Sequence, residues 1–558
     1  MDSYDLVVVG AGWFGLSAAK TYLELHSSEN ILILDMASSF GGTWSKDRLY
    51  PGLKSNNLWG SYEHPDFPMS EKLYGIRHGQ HIPAEIMHLY LTDFAKQFGL
   101  YERTQLNTAV EEVQPESAGG WQLAISTVGT KKTIHAKRLV IATGLTSQPN
   151  LPKYAGEETF TGRKFHAKDF CVNGETTKSA KRAVVVGCGK SAYDCTYAYA
   201  AEGGANVDLI VRPAGQGPVW LCPPYVTPFK RMLEELLHTR GLTWFSPTPW
   251  GSEDGYGAPR EWLHRTALGN FITSNYWNMM SNEVIEAHGF DNHSELFKLK
   301  PWYPAFWTGS GVGIHNFESS LYDLVRQGKV HVHVADIEKL DGDQVHLSNG
   351  TTLAADVLVC ATGWKKSSSI KYNNFGPAGL GLTQSAEDQE RLRREADREV
   401  LDRFPILKNQ PVLRYERSKE EPLRYYRFIV PPSQFSKRNI AFAGMVSTVS
   451  TASFANAQAL WISAFFDGKL KRVPKDDEEM AKEVMLHTQF GKWRYPCGYG
   501  DSLPDFSFDS LPYIDLLLND VGVRNHRKES PIAEITEPYK PKDYKGLTQE
   551  FLDLHAKA

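Results

Sequence analysis

Asp35 and Arg212 carry opposite charges at matching places in two similar stretches of the chain. The first stretch is "YDLVVVGAGWFGLSAAKTYLELHSSENILILD" and the second "RAVVVGCGKSAYDCTYAYAAEGGANVDLIVRP". Asp35 lies twenty residues after Gly15, and Arg212 twenty residues after Ala192. A carboxylate at that offset accepts hydrogen bonds from a ribose hydroxyl pair, whereas an arginine there binds a 2′-phosphate. The two residues therefore predict two bound dinucleotides, one unphosphorylated on its ribose and one phosphorylated.

The elements that must deliver these charges read alike in both stretches. A short β-branched run (6–9, then 183–186) enters a glycine turn, Gly10, Gly12 and Gly15 in one and Gly187 and Gly189 with Ala192 in the third slot in the other. A helical segment and a second apolar run follow, so each stretch predicts strand, turn, helix, strand. The first glycine allows the tight turn, the second lets backbone approach a pyrophosphate, and the third small residue packs helix on strand. One such motif is weak, but two in context, each with its ribose residue, are specific.

Bulk properties bound the rest. At 558 residues the chain exceeds one core and predicts two or more domains. A net charge of −4 gives no reason to expect nucleic acid. The six cysteines form no CxxC pair, which argues against a zinc cluster, a disulfide scaffold and a redox dithiol. The chain enters a strand by about Leu6, leaving no room for a signal peptide, and carries no membrane-length apolar run, so a cytoplasmic location is expected.

The fold expected is α/β, with two Rossmann-like dinucleotide-binding domains. The first spans 1–155 and is completed by 366–530; the second spans 156–365; 531–558 reads as a surface tail. Each unit ends in a strand followed by a small-residue turn, Ala142-Thr143-Gly144 and Ala361-Thr362-Gly363. Between 216 and 312 the βα rhythm gives way to tryptophan and proline, predicting an insertion with helix around 229–237 and 260–283. Its aromatics could line a substrate entrance, rest on a membrane surface, pack as a lid or form a dimer contact. Near the end, the run at 440–443 and the apolar helix after it return to the first sheet.

Between the two modules lies "FTGRKFHAKDF", which matches the FxGxxxHxxx(Y/F/W) fingerprint of the class B flavoprotein monooxygenases. With the two glycine motifs, "GGTW" at 41–44 and both ATG turns, the chain resembles the flavin-containing monooxygenase family. The resemblance implies FAD in the first module and NADPH in the second. It implies hydride transfer to flavin, reaction with O2 to a C4a-hydroperoxide, and oxygen transfer to a soft nucleophile, nitrogen or sulfur, of a small molecule, with NADP+ retained as a shield. No metal is required. "SNNLWGSYEHPDFP" looks like the family's "SN…DFP" segment and puts Asn56 on its active-site asparagine. The same asparagine could be a turn residue capping backbone, and Asn57 beside it leaves the register open. Phe170 and Asn56 favour N- or S-oxygenation; Tyr50-Pro51-Gly52 is shared with Baeyer–Villiger enzymes, so oxygenation of a ketone is the alternative. A disulfide reductase, disfavoured for want of a dithiol, and a non-catalytic flavoprotein are the remaining classes.

On this basis Asn56 is the catalytic candidate. The cofactor-binding set is Gly10, Gly12, Gly15, Asp35, Gly42, Thr43, Trp44, Asn56, Val110, Thr143, Gly187, Gly189, Lys190, Ser191, Arg212 and Thr362. Trp44 and Thr43 either contact flavin or pack in the core. Lys190 and Ser191 either meet NADP phosphates or form a solvated helix start. His166 either ties the interdomain linker or acts as an acid–base group.

Overall fold

The computed structural model describes residues 2–226, 230–366, 368–376, 378–418 and 421–556. Phe229, where the first helix of the insertion was expected to begin, lies outside them, as does Ser367. In the first module, strand Asp2–Val9 lies between Ile31–Leu34 and Thr130–Ile141, parallel to both. Thr104–Gln105 and Ile440–Phe442 extend this parallel sheet at either side. Thr108–Pro115 and Trp121–Thr127 add an antiparallel meander. The last third of the chain thus returns to the first sheet, with Lys371–Tyr372 pairing on the meander. Helix Thr451–Phe466 follows, buried along its length from Ala452 to Phe466. A helix apolar all round must be covered on all sides, and this one packs against the first-turn helix Trp13–Leu25.

The second module repeats the plan. Among the described residues its sheet runs Val330–Val334, Asn206–Val211, Arg182–Val186, Val357–Cys360, Arg163–His166, parallel throughout. The runs "VVV", "LIV" and "VLVC" are continuous apolar segments because such strands are covered on both faces. An antiparallel meander, Ile337–Asp341, Gln344–Leu347 and Thr352–Ala354, precedes the last strand, as in the first module.

The chain crosses between modules twice, and the crossings run side by side. The Asn150 N–H donates to Gly363 O (3.0 Å) and the Lys365 N–H to Gln148 O (3.0 Å). His166 fastens them: its Nε2–H donates to Gly363 O (3.0 Å) while Nδ1 accepts from the Lys168 N–H (3.0 Å). Burial lowers its pKa, so the ring is neutral and both nitrogens are committed. Of the two roles open to His166, this geometry is that of the linker tie.

The insertion leaves and rejoins the second module through a short parallel pair, Trp220–Cys222 with Val312–Ile314. Between these lie helices Leu233–Leu237, Gly257–Arg265 and Ala267–His288. Trp220, Trp250, Trp277, Phe306 and Trp307 are buried, while Trp262 and Phe271 are exposed. The body of the insertion packs on the C-terminal part of the chain. Arg240, fully buried, pairs with Asp515 and donates from Nε to Glu534 (2.8 Å); Ser246 Oγ donates to Asp509 (2.8 Å). Trp250 meets Phe428, Phe506 and Tyr513 edge-on.

The stretch expected as a surface tail is docked instead. Helix Leu547–Ala556 buries Leu547 and Phe551, and the Gly546 N–H donates to Asp66 (2.8 Å). Its charges are also used inward, Lys528 on Asp543 (2.8 Å) and Arg527 on Glu550 (2.7 Å). The apolar residues Tyr539, Tyr544, Leu547 and Phe551 are too widely spaced among charges to register as a core-forming pattern, yet each is buried.

Removing one partner of a buried ion pair strands the other in low dielectric, at a cost of about 3–5 kcal/mol. Arg240→Met should therefore lower the denaturation midpoint, followed by tryptophan fluorescence, and Asp515→Leu added to it should recover much of the loss. An unchanged midpoint in the single variant would mean that this cluster does not clamp the insertion.

Candidate functional site

The two glycine turns have one geometry. Gly10 has φ +116° and Gly187 φ +130°, backbone that a side chain rarely adopts. The Gly10 N–H donates to Leu34 O (2.7 Å) and the Gly187 N–H to Ile210 O (2.9 Å). The crossing strand closes each turn, Ala142 N–H on Val9 O (2.8 Å) and Ala361 N–H on Val186 O (2.8 Å). A Cβ on Gly15 would stand 1.8 Å from Gly10 O, whereas the second module accommodates the methyl of Ala192. Gly12 and Gly189 are the residues just before their helices, and neither helix start has a side-chain cap. Their first N–H groups are left for an anion.

The two charges that follow differ in their surroundings. Asp35 is 9% exposed at the end of its strand; it accepts from the Ala11 N–H (2.6 Å) and the Ala37 N–H (2.8 Å). Burial raises its pKa against those two bonds, and no ion pair to it occurs among the described residues. A carboxylate so held against the glycine turn suits hydroxyl donors. Arg212 is exposed and, among the described residues, forms no ion pair. Its guanidinium is free to meet a ribose phosphate. Gly12 faces Gly42, whose Cα is 3.4 Å from where a Gly12 Cβ would be, so a side chain would narrow the passage between the two. On these counts the residues present fit two dinucleotides, plain in the first module and phosphorylated in the second.

Other residues read from the sequence are distributed less simply. Thr43 is exposed and Thr143 half-buried beside Gly10; Val110 is buried on its strand. Trp44 is buried, its Nε1–H donating to Tyr62 Oη (3.1 Å), a core contact. Thr362 spends its hydroxyl on Asn150 O (2.6 Å), across the paired linkers. Ser191 is exposed at its helix start. Lys190 turns back on Asp194 one helical turn on, with its ammonium 4.4 Å from the centre of the Phe317 ring. A phosphate there would have to exchange with Asp194. Asp194 also accepts from Tyr50 Oη (3.1 Å) and was not singled out, although its i, i+4 spacing from Lys190 is legible.

Strand Lys54–Leu58, which carries both asparagines, lies between the modules. Tyr50, just before it, reaches the second-module helix through Asp194. Asn316 donates to Lys54 O (3.2 Å) and Ser55 O (3.3 Å). On the other side Asn57 Nδ2 donates to Val449 O (3.1 Å), in the turn before helix Thr451–Phe466, and to Glu234 (2.5 Å). Both Asn57 amide protons are thus committed. The half-buried Asn56 side chain makes no hydrogen bond among the described residues. Beside this strand opens a cleft of about 510 Å³, with Tyr74, Ile76, Ile86, Pro224 and Phe317 as apolar wall and His81, His315 and Asn316 among its polar groups. Burial lowers the pKa of both histidines, that of His315 to about 4, so both rings are neutral at pH 7.

Phe170, at the fingerprint's aromatic position, is fully buried against Tyr50, Phe165 and Tyr199. Its identity answers to packing, so it discriminates weakly between oxygenation chemistries.

Comparison with known proteins agrees with this geometry. Residues 4–245 match the family model described as pyridine nucleotide-disulphide oxidoreductase. The chain is 33% identical to the FAD-dependent monooxygenase resA of Aspergillus sclerotiorum, over 98% of each chain. It is 32% identical to the FAD-dependent monooxygenase DEP4 of Alternaria brassicicola, over 99% of this chain and 96% of that one. A probable flavin-containing monooxygenase 1 of Arabidopsis thaliana is 23% identical, over 100% and 99%. Among solved structures, cyclohexanone monooxygenase aligns with TM-score 0.61 at 17% identity, covering 94% of this chain and 99% of that one, a likeness of fold. With relatives above 30% identity matched over nearly the whole of both chains, the chain belongs to the family of FAD-dependent monooxygenases.

Proposed function

We propose that this protein uses FAD, NADPH and O2 to oxygenate a nitrogen or sulfur atom of a small molecule. When bound, the flavin accepts hydride from NADPH, activates O2 and delivers one oxygen atom to the substrate. The chain's own residues bind, orient and exclude water. Asp35 would take the FAD ribose and the Gly10–Gly15 turn its pyrophosphate; the Gly187–Gly189 turn and Arg212 would take NADPH. The observation that carries the reading is the contrast on strand Lys54–Leu58: Asn57 is committed to protein partners and Asn56 is not. An uncharged amide both donates and accepts. In the crevice between the modules it would hold the reacting centre and the nicotinamide together without adding charge. The cleft beside the strand, apolar along one wall and with the Lys54–Glu318 pair (3.8 Å) in its lining, is offered as the substrate's approach.

Baeyer–Villiger oxygenation of a ketone is the second reading, supported by Tyr50-Pro51-Gly52, while buried Phe170 weighs little on either side. Amines, thioethers and ketones tested for stimulation of NADPH oxidation, with product masses, decide between them. A lactone or ester from a ketone, with no amine or thioether turned over, would overturn the first reading.

Arg212→Ala should raise KM for NADPH roughly ten- to a hundred-fold, the worth of one charge-assisted phosphate contact of about 1.5–3 kcal/mol, and leave KM for NADH nearly unchanged. Equal changes for both would show that Arg212 does not read the phosphate. Asn56→Ala should retain FAD and reduction by NADPH. Its substrate-free release of H2O2 per enzyme should rise at least about five-fold, since one aligned hydrogen-bonding group in a dry site is worth about 1–3 kcal/mol. Loss of FAD without a faster leak would make Asn56 a turn residue.

A further inference from the structure

The insertion enters the crevice through one side chain. Glu234, on helix Leu233–Leu237, is 2% exposed and has no cation within ion-pair distance among the described residues. Its Oε1 accepts from Asn57 Nδ2 (2.5 Å), and its Oε2 from the Leu58 N–H (3.0 Å) and Ser61 Oγ (2.9 Å). All three donors belong to the asparagine strand or the turn after it. The same helix grips the facing segment at its end. His238 Nδ1–H donates to Glu234 O (2.7 Å), leaving Nε2 to accept from the Ser450 hydroxyl. Ser450 follows Val449, whose carbonyl holds the other Asn57 proton (3.1 Å). One short helix therefore brackets both walls around Asn57.

We propose that Glu234 is a positioning residue of the oxygenation site, which holds the Asn57 amide and its strand so that the Asn56 side chain is presented to the reacting groups. This rests on the reading of Asn56 given above. An isolated buried carboxylate is costly, and what offsets its burial here is the set of donors that would otherwise be left unsatisfied. What the carboxylate supplies is two oxygens accepting from three donors, which an amide of the same size cannot do. With its oxygen toward Asn57, a glutamine would set its NH2 against the Leu58 N–H. Flipped, it would set NH2 against the Asn57 NH2.

The bracket is also proton-sensitive. Burial pushes the Glu234 carboxyl up to about 7, opposed by its three donors. Of the charged groups nearby, Glu235 adds to the rise and is itself paired with Lys540 (2.9 Å), while His238 is kept neutral by burial. The partners from the asparagine strand and from the 447–450 turn are uncharged. Once protonated, Glu234 can donate to Ser61, which then donates to Leu58 O (2.8 Å), but the Leu58 N–H is left with a poorer acceptor. A raised carboxyl pKa means that the folded state binds a proton the unfolded state lacks between about pH 4.5 and 7. Acidification through this window should therefore loosen the bracket without destabilising the fold through this group.

The test is substrate-free, NADPH-driven H2O2 release by the FAD-loaded protein between pH 6 and 8.5, with FAD content and thermal midpoint measured in parallel. Wild type should leak several-fold more as pH falls through about 7. Glu234→Gln should leak at the higher level throughout, without that pH step, and keep its FAD and its KM for NADPH. Adding Ser61→Ala, which removes a donor to the same side chain, should raise the leak little further, so the two changes are not additive. If Glu234→Gln does not fold, Ser61→Ala, which removes one donor from the same carboxylate, should still raise the leak about two-fold with FAD intact. A wild-type pH profile in Glu234→Gln, additive effects with Ser61→Ala, or a leak that only tracks lost FAD would each overturn the proposal. Should Asn56→Ala leave the leak unchanged while Glu234→Gln raises it, the reading of Asn56 fails and the bracket does not; the reverse result sinks the bracket alone.

Discussion

A Cβ at Gly10 would sit 2.3 Å from the carbonyl oxygen of Ala142, and one at Gly187 2.4 Å from that of Ala361. In each module the strand that ends in the ATG turn therefore presses directly on the glycine turn. The rest of the architecture follows from that contact. It aligns the strand that leaves each module with the helix start that would bind an anion, so the crossing linkers emerge beside the pyrophosphate sites. Because this happens twice, the two linkers meet and pair, with neutral His166 between them. The crevice between two nucleotides is a product of two local steric limits and one hydrogen-bonded ring.

Around that crevice the molecule is closed by elements far apart in sequence. The insertion starts and ends in the second module but is packed on the C-terminal part of the chain through Arg240, Ser246 and Trp250. The last thirty or so residues complete the same cluster, with Glu534 on Arg240. An insertion held in this way is packed into the body of the molecule. Buried ion pairs of this sort stabilise little by themselves, because desolvation offsets the attraction. Their directionality selects one arrangement among several apolar packings of similar energy. Glu234 extends that logic from the insertion to the strand Lys54–Leu58.

The distribution of neutral and charged groups is equally ordered. His81, His166, His238 and His315 are all kept neutral by burial. Cations stand at Arg212 and at Arg48, whose guanidinium lies 5.0 Å from the centre of the Trp364 ring at the linker pair. A site whose cofactor supplies the reactivity needs walls that neither protonate nor attack its groups. Uncharged donors and acceptors along the asparagine strand meet that need.

What the sequence by itself determined is whatever local backbone constraint writes into a short stretch of residues. Gly10, Gly12 and Gly15 with Asp35, and Gly187, Gly189 and Ala192 with Arg212, can be read because one turn, one helix and one strand lie within about thirty residues. Steric limits leave little choice of residue there. The fingerprint around His166 and the ATG turns are legible for the same reason. Tertiary structure alone decided which asparagine is free, since Asn57 finds Glu234 177 residues away and Val449 392 residues away. It also decided that Trp44 donates to Tyr62, that Phe170 packs on Tyr50 and Tyr199, that Lys190 faces Asp194, and that the C-terminal stretch is docked. Those outcomes depend on which surfaces meet across the chain, and hydrogen-bond partners set by long-range packing leave no periodicity or spacing in the sequence.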